Sequence, residues 1–95
     1  YNLPITNTGG NPELIVDAKG ERFIKGGKLT TTVANVYKFK IQIAGTTEIY
    51  TDIGTYAKND HNGLTINFEI FKTCRYVKVI ILECSDQCDL KLEIY

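Results

Sequence analysis

Ninety-five residues suit one domain built around one core, since domains cluster near roughly 100 to 150 residues. Hydrophobic residues make up 43% of the chain and charged residues 23%, values close to globular averages that exclude a disordered or collagen-like chain. Eleven Lys and Arg balance eleven Asp and Glu, so no net field draws the chain to nucleic acid or to an anionic membrane surface.

The longest apolar run, Val79 to Leu82, is far shorter than the about 20 residues of a membrane-spanning helix, and a soluble domain without membrane insertion is expected. The chain starts at Tyr1 and contains no Met, which fits a processed chain or an excised domain.

Residues 1 to 12 hold Pro4, Gly9, Gly10, Asn11 and Pro12, turn chemistry without a usable period, and read as an irregular N-terminal arm or edge segment. Leu14, Ile15 and Val16 then make a short, mostly β-branched strand that Asp17 to Gly20 ends as a turn. Phe23 and Ile24 begin a weaker strand. Gly26 and Gly27 punctuate it as a bulge or turn, and Lys28 to Ala34 brings three consecutive threonines that suit a half-exposed strand.

Tyr37, Phe39, Ile41 and Ile43 alternate with Lys38, Lys40 and Gln42, a period of two that predicts a strand with one buried face. Ile49 and Tyr50 sit in a short strand, and residues 54 to 63 read as a polar, turn-rich loop. Leu64, Ile66, Phe68 and Ile70 restore the alternation. Two closing strands follow, Arg75 to Glu83 and Asp89 to Tyr95, around the short connection CSDQC.

No stretch carries a helical period, and about seven or eight short strands predict an all-β fold, an antiparallel β-sandwich of jelly-roll type. The expected core includes Val16, Phe39, Ile41, Ile43, Leu64, Ile66, Phe68, Val77, Val79, Leu90 and Leu92.

The three cysteines, Cys74, Cys84 and Cys88, leave one thiol over from any single bridge. A disulfide from Cys88 to Cys84 or to Cys74 is expected, with a lean toward an oxidising compartment. Register complicates the nearer pairing. If the last two strands were antiparallel neighbours, their apolar faces would match in one parity and directly opposed Cys84 and Cys88 in the other. Either a bulge intervenes, the cysteines are not simple cross-strand partners, or the two strands belong to different sheets.

Residues 13 to 95 resemble the discoidin, or factor V/VIII type C, domains within the wider group of galactose-binding-like jelly rolls. The similarity lies in ELIVDAKGERFIKGGKL followed by VYKFKIQIAG, and in the ending CRYVKVIILECSDQCDLKLEIY. Unlike that family the chain has no Trp, lacks full N-terminal strands and a full loop for a structural calcium ion, and has no counterpart of the terminal disulfide. The resemblance implies a binding module that takes sugars, phospholipids or protein partners on loops at one end of the sandwich.

No nucleophile, base and orienting group can be assembled from the sequence, nor does a phosphate-cradling glycine loop or dinucleotide fingerprint occur, so no enzyme and no cofactor are expected. His61 is the one histidine. Asp52, Asp60 and Asn62 lack the spacing of an EF-hand loop, and Cys84 and Cys88 with Asp86 and Asp89 lack a further ligand of the usual zinc kind, so no metal site is expected.

The strongest binding candidates are Tyr50, Asp52, Tyr56, Lys58, Asn59, Asp60, His61 and Asn62. An aromatic face packs against a pyranose ring while amides and carboxylates take its hydroxyls. The expected function is a non-catalytic, carbohydrate-binding module of a secreted or cell-surface protein, with a glycan or protein ligand and no nucleic acid. The alternative is a protein-interaction or assembly domain joined to a partner or to a second copy, as a homo-oligomer, through an edge strand or the odd cysteine.

Overall fold

The computed structural model describes residues 2–5, 11–31, 37–58, 65–84 and 88–95. These form six strands: β1 (Asn2–Ile5), β2 (Glu13–Thr31), β3 (Tyr37–Ala44), β4 (Thr51–Lys58), β5 (Thr65–Cys84) and β6 (Cys88–Ile94). All pairings are antiparallel, in the order β1-β6-β2-β5-β3-β4.

Two strands are far longer than the sequence predicts, 19 residues for β2 and 20 for β5. They pair along their length, with register shifts between Asp17 and Arg22 and between Ile24 and Gly26. Bulges of this kind bend a strand and raise its twist. Each long strand therefore serves two layers.

The first layer is β4, β3, residues 75–84 of β5 and residues 13–17 of β2; the second is β1, β6, residues 26–31 of β2 and residues 65–70 of β5. The layers pack face to face, since the Phe39 ring of the first meets the Phe68 ring of the second edge-on at 6.1 Å. This is a β-sandwich. Its eight strand segments are carried by six continuous strands, because the turn chemistry at Asp17 to Gly20 and at Gly26–Gly27 bends the ladder without ending it.

The core joins Val16, Phe39, Ile41, Ile43, Val77, Val79 and Ile81 from one layer to Leu29, Phe68, Ile70, Leu90 and Leu92 from the other. Of the expected core, Ile66 is only partly buried and Leu64 lies outside the described residues.

Two further expectations change. The N-terminal arm contains β1, an edge strand paired only with β6, a position that tolerates Pro4 and its missing N–H. Residues 54 to 58 belong to strand β4 and not to a loop.

The cysteine parity problem falls away because β5 and β6 are not neighbours: β2 lies between them in the sheet order, so Cys84 and Cys88 are not simple cross-strand partners. Residues 75–84 of β5 lie in the first layer beside β3, whereas β6 lies in the second between β1 and β2. Cys84 and Cys88 are thus at the facing ends of two layers. Cys84 is buried, and the Cys88 side chain lies outside the described residues. Cys74 is a buried free thiol, so the Cys74–Cys88 bridge is not formed. Burial pushes the Cys74 thiol up in pKa, which makes it a poor nucleophile for linking a second copy.

Candidate functional site

Topology sorts the two ends of the sandwich. Ile5, Thr31, Lys58 and Cys84 all finish their strands at the same end, and each chain segment that follows crosses to the other layer. The opposite end is closed by the bends of β2 and β5 and by the turn from β3 to β4, where the Glu48 N–H donates to the Gly45 carbonyl at 3.0 Å.

The binding candidates among the described residues do not share one end. Strand β4 places Thr51 beside Ile43 and Lys58 beside Tyr37, about 23 Å apart at strand rise. Tyr50 and Asp52 fall at the turn end. Lys58 falls at the four-connection end, and its side chain and the residues Asn59, Asp60, His61 and Asn62 lie outside the described residues.

Asp52 is engaged in its own layer: Gln42 Nε2 donates to its Oδ1 at 2.5 Å, and Lys40 Nζ lies 3.8 Å away. This carboxylate thus faces Lys40 of β3 from the neighbouring strand. Tyr56 turns into the sandwich, stacked on Phe39 at 5.5 Å and tilted against Phe68 at 6.0 Å. Its ring caps the core.

Tyr50 carries Lys78 Nζ over its ring at 3.8 Å, a cation–π contact. Its hydroxyl is buried without a hydrogen-bond partner among the described residues. Burial first, and then the negative charge of Glu48, pushes the Tyr50 pKa up, so the phenol stays neutral.

A further polar cluster lies where β2 pairs with β5, Asp17 standing opposite Tyr76. Arg75 Nε and Nη2 donate to Asp17 Oδ1 and Oδ2 at 2.9 and 3.2 Å, and the Lys19 N–H donates to Oδ1 at 2.8 Å. Arg75 also lies over the Tyr76 ring at 5.0 Å. Nothing local signals this pair, because 58 residues separate its members.

The Arg75 hydrogen bonds, followed by that of Lys19, lower the Asp17 pKa from 3.8 to about 2. A carboxyl depressed on folding adds stability above its unfolded pKa and loses that contribution as pH falls through the folded value. The loss therefore falls between about pH 4 and pH 2. Asp17→Asn should show a shallower drop in melting temperature across that window than the wild type, and an unchanged drop would remove Asp17 from the acid response.

Among the described residues no three His, Cys, Asp or Glu side chains converge on a metal-binding arrangement. No helix of the described residues is long and apolar enough to cross a membrane.

No protein-family model matches the sequence, and no match is found among curated proteins. Solved structures do match. "CBM32 of AlyQ in complex with 4,5-unsaturated mannuronic acid" superposes with a TM-score of 0.79 at 10% identity, over 99% of this chain and 76% of that one. Chitosan-binding module 1 of a chitosanase/glucanase from Paenibacillus sp. IK-5 gives 0.78 at 16% identity, over 99% and 75%. A glycoside hydrolase gives 0.72 at 12% identity, and there 90% of this chain spans only 19% of the larger protein. The chain thus shares the antiparallel β-sandwich fold of these modules.

Proposed function

We propose that this chain is a non-catalytic carbohydrate-binding module whose site lies at the end where four connections cross between the layers. The observation that carries this reading is the whole-length likeness of its sandwich to modules named for chitosan binding and for a bound mannuronic acid. Connections displayed by a rigid scaffold are where binding residues concentrate. Lys58 ends β4 there, and Asn59, Asp60, His61 and Asn62, which follow it in sequence, bring amide, carboxylate and imidazole groups suited to sugar hydroxyls.

Tyr56 supports the site from within, through its stack on Phe39. Tyr50 and Asp52 stand at the other end of β4 and lie apart from it. The natural setting is a secreted or cell-surface protein in which this module holds its chain on a glycan. A single shallow site of this kind binds at roughly micromolar to millimolar strength, because little area is buried against the entropy of association.

A glycan array with multivalent display, followed by Asn59→Ala and Asn62→Ala, tests the proposal. Each variant should lose at least about tenfold in affinity, the scale of one buried hydrogen bond left unmade. Tyr56→Phe should keep the fold and most of the binding. Glycan binding that both asparagine variants retain in full would move the site elsewhere. Absence of binding to any glycan would end the carbohydrate reading in favour of a protein-interaction module.

A further inference from the structure

The end of the sandwich opposite the four connections carries a second set of aromatic side chains. Where β2 and β5 bend together, Phe23 and Phe71 are each 56% exposed. Their ring centroids lie 6.4 Å apart and their planes are inclined by 54°. Phe23 stands opposite Thr73, so Phe71, two residues further along β5, is its diagonal neighbour on the same face. Lys25, Glu69 and Thr73, each two residues along the strand from one of the phenylalanines, are exposed as well. Ile24 and Ile70 fill the core side of the bend, so neither phenylalanine is needed there.

Phe71 also has a φ of +49°. A bulky side chain in this left-handed region is a genuine outlier, and strain of this kind persists where the surrounding structure over-determines it, most often at ligand-contacting positions. Here it coincides with an exposed aromatic ring. A glycine would occupy the same backbone conformation at no steric cost.

We propose that Phe23 and Phe71 form a second sugar-contact site, separate from the loop end. The apolar face of one pyranose ring lies against the aromatic pair, Lys25 donates to its hydroxyls, Glu69 accepts from them, and Thr73 does either. Area favours a sugar over a protein partner. About half of two phenylalanine surfaces amounts to roughly 200 Å², whereas each partner of a stable protein interface buries about 800 Å². The location stands on the geometry of the bend; the choice of a sugar rests on the carbohydrate-binding reading above.

Amide-resolved NMR titration of the full chain with chitotriose, lactose and a mannuronate trimer tests this, together with Phe71→Gly and Phe23→Ser. At least one saccharide should shift the amides of residues 22–25 and 69–73. Phe71→Gly should melt no lower than the wild type while losing at least tenfold in affinity at the bend, and Phe23→Ser should lose a similar factor. Shifts confined to the loop end would overturn the second site and leave the module reading intact. Shifts at the bend that survive in both variants would also overturn it. Shifts at the bend alone would support it and displace the loop-end site, and no shift with any saccharide would overturn both.

Discussion

Phe39→Ala is expected to lower stability by about 3–5 kcal/mol, the range for emptying a buried aromatic position. Phe39 is fully buried at the seam of the sandwich, stacked on Tyr56 at 5.5 Å and edge-on to Phe68 at 6.1 Å. The cavity would open between layers that no described disulfide holds together. A domain this small has a net stability of about 5–14 kcal/mol in all, so the variant should melt at least about 12 °C lower, at roughly 4–8 °C per kcal/mol. Ile15→Ala, at a site 44% exposed, is the comparison, and should change stability by less than about 1 kcal/mol. Urea unfolding of the two variants separates them. Equal midpoints would show that the Phe39 seam does not hold the layers.

The same seam shows how much of the fold was legible in the sequence. Phe39 to Ile43 and Ile66 to Ile70 alternate cleanly because each has one face toward the core and one toward water, and both are readable as strands. The two long strands were not. Local turn residues at Asp17, Lys19 and Gly20 mark a bend, but whether the ladder ends or continues there depends on the partner strand, which local sequence does not report. Ile24 and Cys74 were missed as core for a related reason: the register shifts around them break the alternation that identifies an inward position.

Strand β4 was read as a loop from Gly54 onward because TDIGTYAK offers only Ile53 and Tyr56 to the core. An edge strand needs little more. As a loop the segment would hold Tyr50 and Asp52 beside the residues that follow Lys58, whereas as a strand it sets Asp52 and Lys58 at opposite ends of the sandwich. The chemistry of each group was legible; the strand rise between them was not. The Asp17–Arg75 pair and the Phe23–Phe71 pair were invisible for a simpler reason, since only the β2–β5 pairing brings their members together.

Gly26→Ala should be the most damaging single methyl among the described glycines. Gly26 follows the second register shift of β2, buried opposite Glu69. A Cβ there would fall inside the van der Waals sphere of the Phe68 backbone carbonyl oxygen. Backbone in a paired strand has no rotamer by which to move away, so relief requires shifting the β2–β5 ladder at the point where it passes between layers. Overpacking of this kind costs typically 1–3 kcal/mol and occasionally more, and the upper end is expected because the obstacle is main chain. Gly27→Ala meets a related obstacle, the Glu93 carbonyl oxygen at 2.6 Å as well as the Phe68 ring. Gly45→Ala is the contrast, since its methyl would meet only the Glu21 carboxylate, the free end of an exposed side chain that can swing aside. Thermal melts followed by far-ultraviolet circular dichroism should therefore place Gly45→Ala within a few degrees of the wild type and Gly26→Ala about 10 °C or more below it. A Gly26→Ala variant that melts with Gly45→Ala would mean that the ladder crosses between layers at some other point than the Ile24–Gly26 bulge.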